Sequence, residues 1–127
     1  MAELFYRAVL EYQTIGNLTV TNTSQAFFSY YAPAADVTTG QTYSNATVGF
    51  QTVMNSLEGW ADAFMRRIKY HAPGGGHFNE EYNRNTGVAQ GAADLTWSYA
   101  AVLTAAFARA ESTGETDYVS ALASLPI

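Results

Sequence analysis

The sequence predicts an all-α fold of about four helices joined by long loops, on three observations. Along Val48, Phe50, Val53, Met54, Leu57, Trp60, Ala61, Phe64 and Ile68, apolar residues recur at three- and four-residue intervals. The same spacing marks the first dozen residues and a stretch that follows Asp94. Between these runs lie segments punctuated by Pro, Gly, Thr and Ser, which read as loops.

In chain order, Leu4, Phe5, Ala8, Val9 and Tyr12 place one apolar face on a helix over 2–13, and Gly16 supplies its stop. No Ser, Thr, Asp or Asn precedes Ala2 as a cap, the pattern expected of a helix entered part-way along its length. Leu18 to Thr21 reads as a short β-branched link, after which Asn22, Thr23 and Ser24 offer caps for a helix through Gln25, Phe27, Phe28 and Tyr31 that Pro33 terminates. Residues 34–45 form a surface loop with room for a short hairpin around Gly40. The long amphipathic helix follows; Gly59 within it costs about 1 kcal/mol relative to Ala and marks a close neighbour or a tolerated defect. His71-Ala72-Pro73-Gly74-Gly75-Gly76-His77 breaks that helix, because proline removes a backbone donor and three glycines release backbone restraint. Asn85-Thr86-Gly87 reads as a turn. Asp94, favoured at a helix start by the dipole, opens the last helix through Leu95, Trp97, Val102, Leu103 and Phe107. The tail beyond Ser112 reads as a short docked helix or a frayed end.

At 127 residues the chain suits a single unit, 1–127. Its 48% hydrophobic and 13% charged content argues for a packed protein rather than a disordered one. A net charge of -5, with six scattered Lys and Arg, leaves no positive stripe for a phosphate backbone, so nucleic acid is not an expected partner. Nine Tyr, seven Phe and two Trp on a weakly charged chain build a core and also suit stacking on the C–H faces of neutral sugars. Cysteine is absent, which removes disulfides and thiolate metal sites. Sequons at Asn17, Asn22 and Asn45 point to a secreted, extracellular glycoprotein. No apolar run is of membrane-spanning length, so no membrane partner is expected. The first residues lack a leader's basic and apolar regions, as expected of a processed or excised chain.

Chemistry is left to the loops. His71 and His77 stand six residues apart across a Pro-Gly run, which matches no metal-ligand spacing, and Gly74-Gly75-Gly76 has neither the preceding strand nor the following Lys-Ser/Thr of a phosphate cradle. No metal or cofactor is expected. Glu80-Glu81 offers a carboxylate among aromatics that could serve as a general base, although two solvated loop carboxylates would look the same.

Asn79-Glu80-Glu81-Tyr82, followed by Asp94-Leu95-Thr96-Trp97-Ser98-Tyr99-Ala100-Ala101, resembles the closing motif of fungal glucoamylases, Ser-Glu-Gln-Tyr and then Asp-Leu-Thr-Trp-Ser-Tyr-Ala-Ala, at matching separation. The similarity extends back through Trp60-Ala61-Asp62-Ala63-Phe64 and Phe27-Phe28 to Ala2-Glu3-Leu4-Phe5-Tyr6. This resemblance implies a segment of an (α/α)₆ toroid, from a family that releases β-glucose with inversion from the non-reducing ends of starch, maltooligosaccharides and related α-glucans. It implies that Glu80 is the general base and that Tyr82 and Trp97 lie near the sugar pocket. Where the family places a serine hydroxyl beside the base, this chain has Gly91, which removes a donor. The family's general acid lies on an earlier helix pair outside this sequence. Glu58, Asp62, Glu81 and Asp94 are conceivable substitutes, each better suited to a structural or solvated role. The expectation is a chain that is incompetent for hydrolysis alone, with uncovered helix faces that self-associate or repack. The alternative is a lectin-like carbohydrate-binding protein built on the same scaffold.

Overall fold

The computed structural model describes residues 1–72 and 74–115. They form four α-helices: α1 (Ala2–Ile15), α2 (Gln25–Tyr31), α3 (Val48–His71) and α4 (Thr96–Thr113). Two small antiparallel sheets add to them, β1 (Asn17–Thr19) with β2 (Thr42–Ser44), and β3 (Glu81–Tyr82) with β4 (Ala89–Gln90). The mostly helical expectation holds, and both strand pairs are additions to it. The chain separates into two compact units, Met1–Ala61 and Asp62 onward, with the division falling inside α3.

In the first unit, α1 ends where Gly16 turns left-handed (φ 77°) and returns its N–H to the Tyr12 carbonyl. The chain then enters β1, whose register pairs Asn17 with Ser44, Leu18 with Tyr43 and Thr19 with Thr42. Alternation along so short a strand still has force, because Leu18 is fully buried while Thr19 is exposed. Thr19 and Thr42 join hydroxyls at 2.8 Å on the open face. Ser24 occupies the cap position of α2 but its hydroxyl accepts from Thr21 N–H at 2.9 Å, so the side chain closes the preceding turn instead of capping the helix. A 3₁₀ turn at Pro33–Ala35 follows α2, with the proline in its first turn, where the missing N–H breaks no helical bond. Thr47 starts α3 by accepting the Phe50 N–H on its hydroxyl at 3.3 Å.

Phe5, Tyr6, Val9, Phe28, Phe50, Val53 and Leu57 form the core of this unit, each essentially inaccessible to solvent. Around it Phe5 meets Tyr31 edge-on at 4.9 Å, Phe27 meets Phe28 edge-on at 5.3 Å, and Trp60 meets Tyr31 edge-on at 5.4 Å while donating its indole N–H to the Tyr31 carbonyl. Much of the aromatic content is therefore structural.

In the second unit, α3 ends at His71; the expected helix-breaking role of Pro73 falls outside the described residues. The fourth helix begins at Thr96, two residues after the Asp94 that was expected to open it, and its cap position is Leu95, without a side-chain hydrogen bond. It carries a run of alanines whose high helix propensity needs no such cap, and Ala105, Ala106, Ala108 and Ala110 are buried. Gly114, left-handed at φ 74°, closes α4 with bonds to the Ala110 and Glu111 carbonyls. Arg109 on α4 donates to Asp62 on α3 at 3.0 Å. Of the tail expected to dock or fray, residues 116–127 lie outside the described residues. Among the described residues, no helix is long and apolar enough to cross a membrane.

Candidate active site around Glu80

Three elements of the second unit build this corner: the loop after α3, the β3–β4 hairpin and the first turn of α4. The hairpin tip is an Asx turn, in which Asn83 Oδ1 accepts from Asn85 N–H at 2.9 Å and Thr86 N–H at 3.1 Å while Asn83 N–H donates to Val88. The turn expected from Asn85-Thr86-Gly87 is therefore present, and the two strands flanking it place Glu81 opposite Gln90 and Tyr82 opposite Ala89.

Glu80 stands at the foot of this hairpin. Its N–H donates to the Ala92 carbonyl at 2.9 Å, and Ala92 N–H donates back to Glu80 Oε2 at 3.2 Å. The carboxylate is exposed and retains further acceptor positions beyond the one Ala92 occupies. The change from serine to Gly91 was expected to remove one donor from this carboxylate; the Ala92 backbone amide is a donor that it has. Gly91 itself is left-handed (φ 75°), and a Cβ there would fall 2.8 Å from both Cβ and Oε2 of Glu80. No side chain fits at Gly91 in this conformation unless Glu80 moves. Gly91→Ala should therefore cost at least about 1–2 kcal/mol for the left-handed backbone alone, and should loosen the Ala92 N–H bond as the carboxylate is displaced. Urea unfolding combined with hydrogen exchange at Ala92 measures both; unchanged stability would contradict this geometry.

Tyr82 lies on β3, 44% exposed, with one ring face stacked on His71 at 4.5 Å and 15°. His71 is itself anchored through Nδ1 to the Gly87 carbonyl at 3.1 Å. One face of Tyr82 is therefore already occupied. Trp97 lies in the first turn of α4 and is 68% exposed. Its neighbour Ser98 donates to the Asn79 carbonyl at 3.0 Å, which ties this turn to the residue preceding Glu80. Glu80, Tyr82 and Trp97 are thus carried by elements bonded to one another.

The other acidic residues considered as proton donors are engaged. Glu81 accepts from Gln90 at 2.8 Å, and Asp62 pairs with Arg109. Glu58 lies on the first-unit half of α3. Asp94 Oδ1 accepts from the Tyr99 hydroxyl and from His77 Nδ1. The Tyr99 hydrogen bond, and after it the His77 bond, hold the Asp94 carboxyl below the usual aspartate range; the same bond raises Tyr99 above the ordinary phenol range. A depressed carboxyl stabilises the fold above the unfolded aspartate value, and that contribution is lost as pH falls through the folded one. A raised phenol contributes below the unfolded tyrosine value and loses its effect as pH rises through the folded one. Asp94 is thus the wrong kind of carboxyl for a proton donor, being held in its charged form. Among the described residues, no group of three or more His, Cys, Asp or Glu is placed to hold a metal.

Glycosyl hydrolases family 15 matches residues 1–107. The chain belongs to that family. This family 15 chain is 47% identical over 125 residues to a glucoamylase of Blastobotrys adeninivorans, an alignment that takes in 98% of this chain and 20% of the relative. It is 38% identical over 109 residues to glucoamylase 1 of Rhizopus oryzae, covering 86% of this chain and 18% of that one. Its fold matches the family 15 glucoamylase of Hypocrea jecorina with a TM-score of 0.78 at 38% identity, over 90% of this chain and 18% of that one. The glucoamylase of Hormoconis resinae matches with a TM-score of 0.77 at 32% identity, over 98% of this chain and 21% of that one. The family 15 chain therefore spans about a fifth of the length of the relatives it matches.

Proposed function

We propose that this chain carries the general-base half of an inverting α-glucan hydrolysis, with Glu80 activating the attacking water and Tyr82 and Trp97 bordering the sugar pocket. The observation that carries this reading is the Glu80 carboxylate, exposed, hydrogen-bonded to one backbone amide, and fixed on a hairpin tied to the turn that bears Trp97. Inversion needs a second carboxyl group about 6.5–9.5 Å from the first, to protonate the leaving oxygen while the base deprotonates water. Asp62, Glu81 and Asp94 are committed to other partners, and the family resemblance places the acid on an earlier helix pair, so this reading assigns the acid to a segment outside this sequence. The substrates are starch and maltooligosaccharides, in keeping with the family.

On this reading the chain alone releases no glucose from maltose. Substituted for the corresponding stretch of the Rhizopus oryzae relative, it yields an enzyme that releases β-glucose and stops doing so on Glu80→Gln. Maltooligosaccharide binding by the chain, with a swapped enzyme indifferent to Glu80, would replace this reading with the lectin-like one.

The same reading includes secretion and self-association. Asn22 and Asn45 are exposed, as glycan acceptors must be, whereas Asn17 is half-buried on β1. Leu103 and Phe107, one helical turn apart on α4, remain 41% and 39% exposed, and Leu4 on α1 remains 62% exposed. Apolar faces of this kind gain by mutual cover. Sedimentation equilibrium should therefore report a species heavier than 13.8 kDa; a monomer that binds no apolar dye would end this part of the proposal.

A further inference from the structure

Four consecutive residues, 77–80, the last of them the base, are fastened to the segment that leads into α4. His77 bonds Asp94 at 2.9 Å. Phe78 donates its N–H to the Tyr99 hydroxyl at 3.3 Å and accepts from Leu95 N–H at 3.0 Å. Asn79 accepts from Ser98 at 3.0 Å, and Glu80 exchanges two bonds with Ala92. On the opposite side of this zipper, Asp94 has two properties no neighbouring non-glycine residue shares. One carboxylate oxygen receives both His77 and Tyr99, and its backbone is left-handed at φ 52°.

Left-handed backbone is rare outside glycine, and Asp and Asn are among the few residues that adopt it, because a short polar side chain can bond locally. Gly91 is left-handed on the other side of Ala92 and Ala93. The direction of the Ala92 amide, which holds the Glu80 carboxylate, is therefore set between two positive-φ residues. Of these, Asp94 is the one locked by side-chain bonds. It grips the loop twice more, directly through His77 and indirectly through Tyr99, whose hydroxyl donates to Asp94 and accepts from Phe78.

We propose that Asp94 is the positioning residue for Glu80: it fixes the Ala92 amide from one side and the approach segment 77–79 from the other, and so determines where the base carboxylate lies. This rests on Glu80 being the base. Asp94 itself touches no reacting atom and acts only through its partners. Its low pKa is consistent with this role, since the charged form is the better double acceptor.

The test uses Asp94→Ala and Asp94→Asn, read in two ways. In the 127-residue chain, hydrogen exchange at the Glu80 and Ala92 amides should accelerate about tenfold or more in Asp94→Ala, while the Ala106 amide in the middle of α4 keeps its protection. Asp94→Asn tolerates the left-handed backbone and keeps an acceptor oxygen, so it should restore most of that protection. In the segment-swapped enzyme, Asp94→Ala should lower kcat with little change in KM, and Asn should rescue it. Unchanged exchange at Ala92, or equal loss at Ala92 and Ala106, would overturn the proposal, the latter by reducing Asp94 to a general stabiliser. Retained kcat in Asp94→Ala, in an enzyme that Glu80→Gln inactivates, would overturn it as well. If neither Asp94→Ala nor Glu80→Gln affects kcat while exchange at Ala92 still responds to Asp94, the geometric role stands and the base assignment fails instead.

Discussion

Glu80→Gln in the segment-swapped enzyme should lower kcat by about 10²–10⁴-fold and leave KM nearly unchanged. The amide oxygen of Gln can still accept the Ala92 N–H that Glu80 Oε2 accepts at 3.2 Å, so the hairpin foot has no reason to move. What disappears is the capacity to take a proton from water as the glycosidic bond breaks. An interaction made only in the transition state acts on kcat and kcat/KM together, which separates it from a loss of sugar binding. Trp97→Ala provides the contrast: on the proposed reading the exposed ring in the first turn of α4 borders the sugar pocket, so its loss should act on KM. Residual activity within a few-fold of the parent after Glu80→Gln would remove Glu80 from the reaction.

The largest effect on stability is expected at Phe28→Ala, about 3–5 kcal/mol from lost burial and the cavity left behind, with up to about 1.5 kcal/mol more from its aromatic partners. Phe28 is 1% exposed, meets Phe27 edge-on at 5.3 Å and lies 6.3 Å from Tyr12, so it joins α2 to α1 in the first unit. A loss of that size rivals the whole stability of a small unit. Urea unfolding with residue-resolved exchange should show Val9 and Leu57 losing protection, since both are fully buried in the same core. A change below about 1 kcal/mol would mean that the site collapses to fill the gap, and that the aromatic cluster is looser than its geometry indicates.

The helices were legible where burial imposes a period on the sequence. The apolar spacing from Val48 to Ile68 announces α3 because one face of it must be covered, and Gly16 ends α1 because a left-handed residue was needed there. The strands were not legible. β1 and β2 are three residues each and paired across more than twenty intervening residues, and β3 and β4 are two residues each, too short for alternation to register. The assignment of Glu80, Tyr82 and Trp97 to a sugar site came through family resemblance, since the residues alone offered Glu80 as one of two loop carboxylates and Trp97 as one apolar residue of a helix. Asp94 shows the opposite failure. Helix-dipole reasoning made it the opener of α4, but its side chain is more strongly bound by His77 and Tyr99, and the helix starts two residues later. Its partners are five and seventeen residues away, separations for which single-sequence rules have no template.

The pairing of Asn17–Thr19 with Thr42–Ser44 also dictates an order of assembly. Helical turns in α1 and α2 form from neighbours a few residues apart, whereas this ribbon must first bring together the ends of a loop that includes all of α2. The entropic penalty of that ring grows with the logarithm of its size and must be met before the few ladder bonds return anything. Leu18 reaches its fully buried position only as the ribbon closes. The first unit should therefore assemble helices first and zip its smallest sheet last, which makes that sheet the gate through which Leu18 is sealed away from water.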